Sequence, residues 1–152
     1  MRVYYGSSRI VDNPKIIIGK YTKDFGYAFY CTKMQDQAEK WARRNATSIV
    51  NIFEYEENNN LNIKVFDEMT EEWLDMIIAS RAGEMHNYDI VIGSMADDKV
   101  YNFVAGVIDG TIPREVFMVY AKFMHPTHQI AFCTEAALKT IKFVDAYEVK
   151  DV

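Results

Sequence analysis

The 152-residue chain is 49% hydrophobic, 26% charged and 14% aromatic, with seven glycines and three prolines, which excludes disordered, collagen-like and low-complexity classes. Seventeen Lys and Arg against 22 Asp and Glu leave a net charge of −5, unfavourable for sliding along a polyphosphate but compatible with a local basic patch. A chain of this length buries roughly 68–70% of its unfolded surface, so it builds a core without disulfides or metals.

The opening Val3-Tyr4-Tyr5 is β-branched and aromatic and predicts a strand stopping at Gly6-Ser7-Ser8. Lys15 to Ile18 is an apolar run of ambiguous type before Gly19, and Phe25 to Thr32 reads as irregular chain entering a short strand. Gln35 to Ala46 carries Ala38, Trp41 and Ala42 at helical spacing. Ser48 to Tyr55 and Asn62 to Phe66 read as strands around the polar tract Glu56 to Asn60, in the manner of a hairpin. Thr70 suits an N-cap for a helix with Glu71 and Glu72 in its first turn and an apolar stripe of Trp73, Leu74, Ile77 and Ile78.

Tyr88 to Ile92 predicts a buried strand ending at Gly93, and Ser94 to Asp97 has capping-box spacing. The next helix uses Val100, Phe103, Val104, Val107 and Ile108 and stops at Gly110. Thr111 to Phe123, with Pro113 in its first turn, predicts another helix. Thr127 to Phe132 alternates, with His128, Ile130 and Phe132 on one face and Thr127, Gln129 and Ala131 on the other. Thr134 caps a short helix, and Lys142 to Val149 closes the chain as a strand. Helices do not follow strands regularly, so the fold class is α+β with a mixed or antiparallel sheet, one domain over residues 1–152.

Cys31 and Cys133 match neither a disulfide framework nor a zinc knuckle, and reduced thiols in a cytosol are expected. The N-terminus lacks a basic stretch leading into an apolar one, and no apolar run approaches the ~20 residues of a membrane helix. The expectation is a soluble, cytoplasmic protein without a membrane partner. Phosphate-loop, dinucleotide-fingerprint, zinc-protease and serine-hydrolase motifs do not occur. His125, His128 and Cys133 have a superficial metal-ligand look, but His128 and Cys133 differ in strand parity, so no metal is expected.

Three ordered segments say more: Val3-Tyr4-Tyr5-Gly6-Ser7-Ser8, Asp24 to Thr32 (DFGYAFYCT) and Thr127 to Phe132 (THQIAF). Together they resemble the ADP-ribosyltransferase superfamily of the His-Tyr-Glu type, and more closely its small bacterial members grouped as DUF3990. The resemblance extends over NPKIIIGKYTKDFGYAFYCT, YDIVIGSMADD and PTHQIAFCTEAALKTIKFV, nearly the whole chain. It implies a split β-sheet core with flanking helices, and NAD as substrate.

In that superfamily the first motif ends in His-Gly, the histidine on the adenosine ribose and the glycine backbone on the nicotinamide amide. Gly6 matches the glycine, Tyr5 stands in the histidine's place, and Ser7 follows them in the implied cofactor-binding set. A residue without Cβ lets backbone approach a flat ligand. The second motif reads Gly26-Tyr27-Ala28-Phe29-Tyr30, where Gly26 is the first motif glycine and Tyr30 matches the aromatic that stacks on nicotinamide. Such a cation–π contact contributes ~0.5–2 kcal/mol.

The third motif brings a glutamate to the nicotinamide-ribose 2′-OH, and the matching residue is Gln129. Glutamine keeps the hydrogen bond without the anion that opposes developing positive charge. Gln129→Glu is therefore expected to raise turnover, and Tyr30 and Gln129 are the implied catalytic pair. Asp97 and Asp98 are candidates for a carboxylate supplied from elsewhere, or ordinary acids at a helix N-terminus. Arg9 is a candidate for the NAD pyrophosphate, since a guanidinium forks onto phosphate oxygens. Lys40, Arg43 and Arg44 read as a solvated helix face or a phosphate or target contact.

The activity so implied is mono-ADP-ribosyl transfer from NAD to a macromolecular acceptor, protein or nucleic acid, in the manner of a bacterial toxin with an antitoxin partner. With water as acceptor the same site is an NAD glycohydrolase. A catalytically weak NAD-binding or interaction module is the alternative. Because NAD is a dianion, its cleft is expected to be less acidic than the protein as a whole.

Overall fold

The computed structural model describes residues 1–19, 23–124 and 127–150, with the Asp98 side chain outside that description. The elements run β1 (Arg2–Ser7), β2 (Phe29–Cys31), α1 (Gln35–Ala42), β3 (Ile49–Tyr55), β4 (Ile63–Val65), α2 (Glu71–Arg81) and β5 (Ile90–Gly93). They continue as α3 (Asp98–Asp109), α4 (Arg114–Ala121), β6 (Gln129–Phe132), α5 (Glu135–Leu138) and β7 (Ile141–Glu148). The fold is mixed α+β. One antiparallel sheet has the order β1-β3-β7, and the other has β2-β6-β5-β4, antiparallel except for the parallel β4–β5 pair.

An isolated bridge joins the two sheets: Tyr4 N donates to Thr32 O at 2.7 Å and Thr32 N donates to Tyr4 O at 2.9 Å. Beyond this rung β1 and β2 pair with other strands rather than with each other. The sheets therefore fork, with Tyr5 and Gly6 on one branch and Tyr30 on the other.

Val3, Phe29, Cys31, Phe53, Ile130 and Phe132 fill the space between the sheets. The opposite face of the second sheet, carrying Val91 and Ala131, packs on Trp73, Leu74 and Ile77 of α2, Val100 and Val104 of α3 and Phe117 of α4. α1 covers the outer face of the first sheet, where Ala38 and Ala42 meet Val50. β6 is buried on both faces, so its polar side chain, Gln129, needs partners inside the protein.

Caps form where side-chain chemistry favours them. Thr70 Oγ1 accepts from Trp73 N at 3.2 Å, Thr134 Oγ1 accepts from Ala137 N at 3.1 Å, and Gly110 ends α3 with φ +84°. Several expectations change. β1 continues through Gly6 to Ser7, because ladder hydrogen bonds to β3 outweigh the turn propensity of Gly-Ser-Ser. α1 stops at Ala42, and Lys15–Ile18 contributes only the Ile17–Ala28 bridge. β3 and β4 are not a hairpin: they lie in different sheets, and residues 56–62 carry the chain across. Asp97, not Ser94, caps α3, accepting from Val100 N at 3.0 Å, and Pro113 sits at the N-cap of α4. Among the described residues no helix is long and apolar enough to cross a membrane.

Candidate functional site

A cavity of about 510 Å³ opens at the fork, within the range of small-molecule sites. β1 supplies Tyr5 and Gly6, β2 supplies Tyr30, and β6 supplies Gln129. Trp41 and the following Arg44 and Asn45 close it from the α1 side, and Met95, Ala96 and Asp97 from the β5–α3 connection. Among the described residues its charged lining is Lys23, Arg44 and Arg81 against Asp24 and Asp97. This wall is cationic on balance in a protein of net charge −5.

Asp24 organises the wall. It is 5% exposed, and its Oδ1 accepts from Arg81 Nε at 3.0 Å and from Arg81 Nη2. Its Oδ2 accepts from Ala96 N at 2.8 Å and from Gln129 Nε2 at 3.0 Å. One carboxylate thus ties α2, the β5–α3 connection and β6 to the loop before β2. Arg81 is held on its other side by the Tyr101 ring, 4.1 Å from guanidinium carbon to ring centroid. Buried pairs of this kind fix geometry when every remaining hydrogen-bonding position is filled.

Gln129 also donates from Nε2 to Ser94 O at 3.4 Å. Both neighbours of this amide nitrogen are acceptors, which dictates that the NH₂ group faces them. No described residue donates to Oε1, and no buried side-chain N or O among the described residues lacks a partner. Oε1 is accordingly the part of Gln129 that opens on the cavity.

The Tyr30 hydroxyl is committed elsewhere. It accepts from Phe25 N at 3.0 Å and donates to Gly26 O at 2.6 Å, closing the turn in which Gly26 takes φ +86°. Burial pushes this hydroxyl well above its ordinary pKa. It stays protonated, and the ring is what Tyr30 offers a ligand. Tyr5 packs at 4.4 Å, centroid to centroid, on Phe29, and burial raises its pKa too.

A family model described as "Protein of unknown function (DUF3990)" matches residues 1–143. The chain belongs to the DUF3990 family. Neither the curated proteins nor the solved structures contain a match.

Across this DUF3990 chain, Tyr5, Gly6, Tyr30 and Gln129 come together at the cavity, and Asp97 joins them with its carboxylate bonded to the start of α3. Ser7, Arg9 and Gly26 are not among the lining residues. Arg9 is exposed, with its carbonyl held by Asn51 Nδ2 at 3.1 Å. The Asp98 side chain and His125 lie outside the described residues. His128 is buried and takes Lys33 N on Nδ1 at 3.1 Å. Burial pulls its pKa down to about 4 and pushes the Cys133 thiol up to about 12.

Gly6 has a structural duty besides its place in the lining. An ideal Cβ there would stand 2.1 Å from Ala38 O and 2.7 Å from Ala42 N, so its bare backbone is what lets α1 lie on β1. Asp24 and Arg81 escaped the sequence reading. Their partners are 57 to 105 residues apart in the chain, and the only local signal is an acid at the head of an aromatic segment. Trp41 reads as core by helical spacing, yet it is half-buried beside the cavity while Ala38 and Ala42 take the buried positions.

Proposed function

We propose that the protein binds NAD in the forked cavity and transfers its ADP-ribosyl group to a macromolecular acceptor. The observation that carries this reading is the convergence of Tyr5-Gly6, Tyr30 and Gln129, from three strands distant in sequence, on one cavity at a split between two sheets. A split sheet is what the resemblance to ADP-ribosyltransferases implies, and DUF3990, the group named in that resemblance, is the family whose model matches residues 1–143. The cationic balance of the lining suits a dinucleotide carrying two phosphate charges.

In this reading the Tyr30 ring stacks on nicotinamide and Gln129 Oε1 accepts from a ribose hydroxyl. Nicotinamide leaves with the electron pair of its bond to ribose, and an acceptor nucleophile forms the new bond and gives up its proton. The chain's share is to hold the two ends of NAD in place and shield the reacting carbon from water. A protein acceptor or an antitoxin would find exposed apolar surface on α4 and just beyond it, where Val119, Tyr120 and Phe123 are 57%, 48% and 81% exposed.

The second reading is an NAD-binding module with weak or no turnover, favoured by the amide that replaces a carboxylate at position 129. One experiment separates them: purified protein is given NAD alone and NAD with cell lysate, while binding, nicotinamide release and transfer of labelled ADP-ribose are followed. Transfer supports the first reading; release without transfer makes the protein a glycohydrolase. Saturable binding with no release in either condition leaves only the module. Failure to bind NAD overturns the cavity assignment.

A further inference from the structure

The sequence asks where a site with glutamine at position 129 keeps its negative charge. Asp97, one candidate, caps α3. Asp24 is the buried carboxylate in contact with Gln129, at 3.0 Å from Oδ2 to Nε2. A carboxylate offers about four acceptor positions, and Asp24 fills four with Arg81 Nε, Arg81 Nη2, Ala96 N and Gln129 Nε2. It has no oxygen left for a ligand. Its influence on the cavity runs through Gln129.

We infer that Asp24 is the positioning residue for Gln129: it locks the amide with Nε2 turned inward, so that Oε1 faces the cavity as a fixed acceptor for a ligand hydroxyl. This rests on the NAD reading above. A hydrogen bond from an amide NH₂ to an ionised carboxylate polarises the amide and strengthens its carbonyl oxygen as an acceptor. The charge sits one hydrogen bond behind the amide, with Arg81 as its counter-ion.

This arrangement reverses the effect of Gln129→Glu expected from resemblance alone. A glutamate there loses the bond to Asp24 and sets two carboxylates within about 3 Å, where they cannot both ionise near neutral pH without strong repulsion. With Asp24→Asn added, the amide of residue 24 donates to the carboxylate of residue 129. Donor and acceptor are exchanged between residues 24 and 129, while Ala96 N, which shares that oxygen of Asp24 in the wild type, loses its acceptor.

The experiment uses the full chain as wild type, Gln129→Glu, Asp24→Asn and the double variant. Each is measured for NAD affinity by calorimetry, for kcat and KM of nicotinamide release, and for denaturation midpoint between pH 4.5 and 8. Gln129→Glu alone is expected to weaken NAD affinity roughly tenfold or more at pH 7.5 and to recover as its shared proton binds on acidification. The double variant binds NAD more tightly than Gln129→Glu alone at pH 7.5, short of wild type because Ala96 N is left without its acceptor, and loses that titration. The denaturation midpoint follows the same pattern without NAD.

Additive effects of the two substitutions on affinity, or an improved Gln129→Glu whose pH profile matches wild type, overturn the inference. So does coupling confined to the denaturation midpoint, since a purely structural bond would give that alone. If Asp24→Asn does not fold, the pH profile of Gln129→Glu decides by itself. Wild-type protein that binds no NAD removes the NAD reading and this inference with it; wild-type protein that binds NAD while the variants show no coupling removes this inference alone.

Discussion

Gly6→Ala separates two reasons for a glycine at the end of the first motif. The resemblance assigns the missing Cβ to a ligand that approaches the backbone; the packing assigns it to α1. The added Cβ would lie 2.1 Å from Ala38 O, 2.7 Å from Ala42 N and 2.9 Å from Trp41 Cβ. Relieving the nearest contact requires about 1 Å of displacement, and the obstruction is helix backbone rather than a side chain that can turn aside. α1 must retreat as a body, which loosens Ala38 and Ala42 from Val50. Overpacking typically costs about 1–3 kcal/mol, and a backbone clash belongs at the upper end. For a chain of this size about 3 kcal/mol lowers Tm by roughly 6–12 °C. The assay is thermal unfolding of wild type and Gly6→Ala without NAD, by circular dichroism. Trp41→Ala in the same chain should not rescue the variant, because Ala38 O remains in the way. A ligand-free Tm within about 2 °C of wild type, with a large loss only in NAD affinity, would refute the packing argument.

Tyr30→Phe deletes a hydroxyl that accepts from Phe25 N and donates to Gly26 O; it should cost about 1–3 kcal/mol in urea unfolding. It should also keep most of the NAD affinity that Tyr30→Ala loses, and equal affinities for the two variants would show that the ring does not stack. His128 gives stability a pH dependence. Its pKa falls from the ordinary 6.5 to about 4 in the folded protein, so between these values the unfolded chain binds more protons. The contribution is complete above pH 6.5 and lost as pH falls toward 4, roughly 3 kcal/mol in all. Protonation also takes Nδ1 from Lys33 N, and denaturation of His128→Asn should lack this slope between pH 4 and 6.5. Arg44→Ala should weaken NAD binding about threefold or more, with a shallower salt dependence, while Arg9→Ala leaves it unchanged; calorimetry at two ionic strengths checks the pair, and the opposite ranking would move the phosphates toward Arg9.

What could be read from the sequence divides by the range of the interaction. Thr70, Thr134 and Gly110 act within one turn of themselves, and each caps as its chemistry suggests. The alternation in β6 is legible for the same reason, and it places Ile130 and Phe132 between the sheets. Strand partnership is not local. Seven residues joining β3 to β4 suit a hairpin loop and a crossing between sheets equally well, and the choice falls to the parallel pairing of β4 with β5 across α2. Gly6 shows how one residue can satisfy a motif and carry a second duty that the motif does not mention.

The candidate site repeats this division. Tyr5, Gly6, Tyr30 and Gln129 are legible because the resemblance joins distant segments that periodicity cannot join, and they do share a cavity. Asp24 lies inside one of those segments and passed without a role, because nothing within five residues of it is its partner among the bonds its carboxylate makes. Its importance comes from burial. An ionised carboxylate at 5% exposure is costly unless its acceptor positions are filled, and filling them brought α2, β6 and the β5–α3 connection to one point. The substitution that weakens the resemblance, glutamine at position 129, is then the residue such a neighbour requires. An amide can donate to Asp24 and still present an oxygen to the cavity, whereas an ionised glutamate cannot donate at all.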